Sequence, residues 1–215
     1  MNSELPNPDE SATPKQHVSA RVPESISRGV FSTGTIIMTG GSEFIMDFIQ
    51  NVGRPHQVAA RIVMPHGVMP QFIDALQKNI ELFRQRFGDP PELPKPANTD
   101  QPKPTVQQIY DELKLPDDVL SGNYANGVMI GHTASEFRFD FLTNFYPNSA
   151  VSARIFLSAA QVPRLLESLS NTFQQFQQRV AKQREQQNPS GEQPPEEKPP
   201  EEKPPEEKPP EELNS

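Results

Sequence analysis

The chain has 215 residues, 25 of them proline, no cysteine and a formal charge of −8. Without cysteine, disulfides, thiolate metal sites and cysteine nucleophiles are excluded. Nine Glu and three Lys between Glu192 and Glu212 account for six of the eight negative charges, so the rest is near neutral and lacks the bulk basic footprint of a nucleic-acid binder.

In chain order, residues 1–27 are rich in Pro, Ser, Asn and Glu without periodicity and read as a disordered arm. Met1–Ala20 lacks the basic start and apolar run of a signal peptide. No apolar stretch of the sequence approaches the roughly 18 residues of a membrane span, and a cytoplasmic location is expected.

Residues 28–88 read as a β-β-β-α unit. A strand is predicted near Phe31–Met38, and Gly40-Gly41 reads as a hairpin turn. Phe44, Met46 and Phe48 then alternate with Ile45 and Asp47, the period of a half-buried strand. Val58, Ala60, Ile62 and Met64 form the next inner face. The period then lengthens to that of a helix, with Val68, Phe72, Leu76, Ile80, Phe83 and Phe87 on one stripe. Pro65 suits its first turn, and Gly88 followed by Pro90 stops it.

Residues 89–120 read as a Pro-rich linker with a short helix from a Thr105 cap through Leu113. Residues 121–187 repeat the β-β-β-α pattern. Phe137, Phe139 and Phe141 line one strand, and Val151, Ala153, Ile155 and Leu157 the next. Val162, Leu165, Leu166, Leu169, Phe173, Phe176 and Val180 form the helical stripe, with Ser158 as its N-cap and Pro163 in its first turn. Residues 188–215 carry Pro-Pro-Glu-Glu-Lys with period five and read as an extended, disordered tail.

The two units are copies of one another. Offset by 93 residues, they align without a gap over about fifty-nine positions, with about seventeen identities. Gly29, Gly34, Asp47-Phe48, Ala60-Arg61-Ile62 and Phe83 match Gly122, Gly127, Asp140-Phe141, Ala153-Arg154-Ile155 and Phe176. The fold expected is α+β: tandem β-β-β-α units packed as one pseudo-twofold domain, with antiparallel sheet and two main helices. Each unit is too small to be stable alone.

Little in the sequence suggests chemistry. Glu43 and Asp47, and likewise Glu136 and Asp140, stand four apart on a strand, about 13 Å, too far to share a water or a metal. His17, His56, His66 and His132 lack ligand spacing. Gly40-Gly41 is not followed by the Lys-Ser/Thr of a phosphate loop. No catalytic residue, metal site, cofactor or small-molecule substrate is expected. Pairing the second and third strands by their inner faces sets Asp47 opposite Arg61 and Asp140 opposite Arg154, on the outer face. The loops then span Asn51–Gln57 and Asn144–Ala150. As structural ion pairs across a strand, these would contribute roughly 0.2–1 kcal/mol each.

These residues resemble a bacterial family known as domain of unknown function number 3467. Its pattern is an aromatic-x-Asn start, an acidic-aromatic middle, an Ala-Arg strand and a Ser-Pro-led helix. Tyr124-Ala125-Asn126, Ser135-Glu136-Phe137, Asp140-Phe141, Ala153-Arg154 and Ser158 carry it. The first copy departs from it at Thr33 and Pro65. The resemblance implies no activity, cofactor or catalytic residue. The architecture is more loosely similar to PUR and Whirly-type repeats. The function expected is a non-enzymatic interaction or assembly module, binding an unknown protein partner or self-associating. The alternative is a single-stranded nucleic-acid binder using Arg61, Tyr124, Arg138 and Arg154, disfavoured by the near-neutral body.

Overall fold

The computed structural model describes residues 20–94, 105–145 and 147–187. The tail and most of the N-terminal arm therefore lie outside the described residues. The first copy comprises α1 (Glu24–Ser27), β1 (Val30–Ser32), β2 (Gly34–Thr39), β3 (Glu43–Gln50), β4 (His56–Pro65) and α2 (Met69–Phe87). The connecting segment carries α3 (Val106–Asp111) and β5 (Leu113–Lys114). The second copy comprises α4 (Asp117–Leu120), β6 (Asn123–Tyr124), β7 (Gly127–His132), β8 (Glu136–Phe145), β9 (Asn148–Ser158) and α5 (Val162–Gln187).

The structure is α+β with two tandem units, but the repeat is longer than β-β-β-α. The single early strand expected in each copy is broken in two, and the halves join different sheets. The first sheet has the order β2-β3-β4-β5, with β6 of the second copy also paired parallel to β4. The second sheet has the order β1-β9-β8-β7, with β1 of the first copy parallel to β9. The copies thus exchange their first strands. The crossing is pinned by hydrogen bonds. In the first copy the Thr33 amide donates to Ile49 O at 2.8 Å and the Asn51 amide to Thr33 Oγ1 at 3.0 Å. In the second the Asn126 amide donates to Leu142 O at 2.9 Å and the Asn144 amide to Asn126 Oδ1 at 2.7 Å. Thr33 therefore does the work of Asn126 despite the departure in sequence.

The exchange begins before the expected unit boundaries. Residues 20–27, expected to be part of a disordered arm, hold a bridge from Arg21 to Ala150 and then helix α1. Helix α4 occupies the same place in the second copy, at the end of the expected linker. Each follows a proline at its N-cap, Pro23 and Pro116, whose fixed φ leads into the turn. Thr105 caps α3 as expected, in a reciprocal capping box with Gln108.

The core joins both copies. Phe44, Met46 and Phe48 from β3 and Phe137, Phe139 and Phe141 from β8 are all buried in one cluster with residues of α2 and α5. Helix α2 sets Phe72 and Phe83 against Phe139, Phe141 and Phe137 of the second sheet. Helix α5 sets Phe173 and Phe176 against Phe44 of the first. Each helix therefore packs on the sheet of the other copy.

The hairpin register is as expected along most of each pair. Phe44, Met46, Asp47 and Phe48 face Met64, Ile62, Arg61 and Ala60, and Asp140 faces Arg154. Two details differ. A bulge after Phe48 and after Phe141 slips the rest by one residue, so that Ile49 faces Val58 and Leu142 faces Val151. Phe48 and Ile49 on β3, and Phe141 and Leu142 on β8, are then both buried, which strict alternation would not allow. The loops are also shorter than expected, because β4 begins at His56 and β9 at Asn148. Pro65 ends β4 instead of opening a helix, and Ser158 stands at the N-cap of a 3₁₀ turn without a side-chain cap bond.

Because strands and helices are both exchanged, a fragment of residues 20–94 or 105–187 should not fold as a monomer. An equimolar mixture of the two should restore a dispersed amide NMR spectrum. A dispersed spectrum from either fragment alone, at monomer mass, would show that the exchange is dispensable.

Candidate functional site

The outer faces of β3 and β4, and of β8 and β9, hold the ion pairs in full two-point geometry. Arg61 donates from Nε to Asp47 Oδ1 at 2.8 Å and from Nη2 to Oδ2 at 2.7 Å. Arg154 donates from Nε to Asp140 Oδ1 at 2.7 Å and from Nη2 to Oδ2 at 2.9 Å. Such paired, charge-assisted bonds are the strong class of hydrogen bond.

The open cross-strand pairs expected from sequence are in fact covered. The carboxylate side chains are 0% and 3% exposed, and the guanidinium side chains 14% and 15%. The cover is the exchanged segment of the opposite copy. Arg61 Nη1 donates to Leu120 O at the end of α4, and Arg154 Nη1 to Ser27 O at the end of α1, both at 3.1 Å. The last carbonyls of a helix have no partner within it, so the arginines satisfy them. The chain then turns at Gly29 and Gly122, with φ of 64° and 74°. A Cβ at Gly29 would lie 2.7 Å from Arg154 Cγ, and one at Gly122 would lie 2.9 Å from Arg61 Cγ. Glycine is required there twice over, for the left-handed backbone and for passage over the arginine stem.

The two pairs differ in their third partner. Asp47 also accepts a hydrogen bond from the Tyr110 hydroxyl of α3. Asp140 instead has Arg138 Nε at 3.4 Å, on a side chain that is 48% exposed. The hydrogen bond to Asp47 holds the Arg61 guanidinium above its ordinary range, and the bond to Asp140 does the same for Arg154. Burial first, then the bond to Asp47, pushes the Tyr110 phenol above its usual value. Tyr110 was not singled out as a site residue from sequence. The only signal was its place on the apolar side of the capped helix.

The four residues named as contacts for a nucleic-acid strand divide between the two sheets, although the Tyr124 ring stacks on Phe145 of β8. Arg61 and Tyr124 belong to the first sheet, Arg138 and Arg154 to the second. Arg61 and Arg154 are committed to the buried pairs, while Tyr124 is 41% exposed. Among the described residues, no group of three or more His, Asp or Glu stands close enough to hold a metal ion. Also among them, no helix is long and apolar enough to cross a membrane.

A family model described as Protein of unknown function (DUF3467) matches the chain twice, over residues 3–90 and 94–183. The chain belongs to this family. Each match covers one copy, the first taking in α1 and the second α4, and the second also takes in α3 and β5 of the connecting segment. No curated protein matches the chain.

Two predictions follow from the pairs. Removing one partner of a buried pair strands the other, so Asp140→Asn or Arg154→Gln should each cost roughly 3–5 kcal/mol of stability. That is well above the value for an exposed pair. A double-mutant cycle by urea denaturation should show strong coupling, and a coupling near zero would remove the ion pair as the fastening of the strap. Tyr110 should ionise above pH 10 in a spectrophotometric titration, and Tyr110→Phe should delete that late component. A phenol with a raised folded pKa stabilises below about pH 10 and loses its contribution as the pH climbs through the raised value. If the component lost in Tyr110→Phe titrates at the ordinary value of a free tyrosine, the phenol does not bond the carboxylate.

Proposed function

We propose that the chain is a non-enzymatic, cytoplasmic protein-interaction or assembly module, with the outer face of its first sheet as the contact surface. One observation carries the reading. On that face Met38, Ile45, Val63 and Tyr124 pair side by side across β2, β3, β4 and β6, forming an apolar row that crosses four strands. Met38, Ile45 and Val63 are part-exposed, and Tyr124 more so. A continuous apolar row at a surface is what a protein partner, or a second copy, covers. The carboxylates duplicated at Asp47 and Asp140 are tied up in holding the straps, which leaves them poor candidates for acid–base work.

The test is a Met38→Glu/Ile45→Glu double variant of the full chain, checked by circular dichroism and melting. The wild type should self-associate by light scattering, or retain a defined protein in cross-linked pull-downs. The folded variant should lose that contact. A monomeric wild type that captures nothing, or a folded variant with unchanged contacts, overturns the reading.

A further inference from the structure

The equivalent row on the second sheet has different chemistry. Register places Phe31 of β1 beside Phe156 of β9, Phe156 beside Arg138 of β8, and Arg138 beside Gly131 of β7. These four positions are the duplicates of Tyr124, Val63, Ile45 and Met38. Where the first sheet sets three aliphatic side chains beside Tyr124, the second carries two aromatic rings, a guanidinium and a bare backbone. The result is a groove of about 610 Å³, closed along one side by His132, Thr133 and Glu136. That size lies within the range of small-molecule sites, roughly 300–1,000 Å³.

The charge in the groove is also distinct. Asp140 already receives two short bonds from Arg154, so Arg138, at 3.4 Å, is the surplus cation of the group. Its guanidinium lies over the bare Gly131, where a Cβ would come within 3.4 Å of Nη2. Glu136, at the lip, is exposed and accepts a hydrogen bond from Thr133 Oγ1 at 2.9 Å. The His132 ring turns to the inner face, against Phe83, Phe87 and Phe137, where burial, then the charge of Arg86, holds it below its ordinary value. One side of the groove thus offers ring faces, and the other offers a half-exposed guanidinium able to grip an anion at two points.

We propose that this groove binds a planar aromatic molecule carrying a carboxylate or phosphate. The ring lies on Phe156 and Phe31, and the anionic group meets Arg138. Rings prefer offset stacking on one another, and a charged acceptor bonded by arginine fixes the orientation. The first sheet cannot bind such a ligand at the matching place, because Met38 and Ile45 occupy it.

The experiment titrates the full chain by calorimetry and ligand-observed NMR with adenosine 5′-monophosphate and indole-3-acetate. Adenosine and inorganic phosphate, and indole and acetate, serve as the respective half-ligands. At least one of the two complete probes should bind at least tenfold tighter than either half-ligand. The variants Arg138→Ile and Gly131→Met transplant the first sheet's own residues, so the fold should accept them, and each should weaken binding at least tenfold. Phe156→Val should do the same. Probes of both anion types distinguish a phosphate ligand from a carboxylate. A short oligothymidylate that binds far tighter than the mononucleotide, and loses affinity steeply with salt, would identify the phosphate source as a strand. The proposal is overturned if neither complete probe binds at millimolar concentration. It is equally overturned if binding is unchanged in the folded Arg138→Ile and Gly131→Met variants. Neither result bears on the apolar face of the first sheet.

Discussion

A buried carboxylate cannot remain charged without a partner, and here each partner reaches a third group that belongs to the other copy. Asp47 orients Arg61, and the free edge of Arg61 holds the end of α4. Asp140 orients Arg154, which holds the end of α1. The strap so fastened carries β6 into the first sheet and β1 into the second. Its backbone passes so close to the arginine stem that only glycine fits. Pair, strap and glycine are therefore one device, present twice, and each instance joins the two copies. A buried ion pair is weak evidence for net stability, since an apolar replacement can serve as well. Its use here is to specify which backbone lies over which sheet.

The same exchange accounts for the duplication within one chain. Each sheet lacks a strand, and each core lacks a helix, until the other copy supplies both. Covalent linkage makes the exchange intramolecular, so it does not depend on protein concentration. It also frees the copies to diverge. Two identical subunits would carry identical outer faces. The linked copies instead present a mainly aliphatic row ending in Tyr124 on one sheet and an aromatic-cationic row on the other, over the same backbone register. The third partner of each carboxylate has diverged as well, to Tyr110 on one side and Arg138 on the other.

Much of this was legible in the residues. Alternation of Phe44, Met46 and Phe48 with Ile45 and Asp47 determined the inner face and, with its counterpart on β4, the register. A one-residue slip would turn every phenylalanine outward. The 93-residue offset determined the repeat, and the inner-face register set the pairing of Asp47 with Arg61 and of Asp140 with Arg154. The apolar stripe from Phe72 to Phe83 determined α2, and the Thr105-Gln108 box determined the start of α3.

Tertiary structure alone decided where these pieces go. Alternation shows which face of a strand is buried but not which sheet the strand joins. The break at Thr33 and Asn126, where β1 and β6 leave for the opposite copy, was therefore invisible as a break. The bulge after Phe48 was hidden for a similar reason, because Ile49 is apolar in either register. Burial of the ion pairs depends on residues 59 and 127 positions away in sequence, Leu120 O from Arg61 and Ser27 O from Arg154. Local pattern cannot report a lid supplied from that distance. Gly29 and Gly122 stood in the sequence as matched glycines, but the reason for them, an arginine stem under the backbone, exists only once the copies have exchanged.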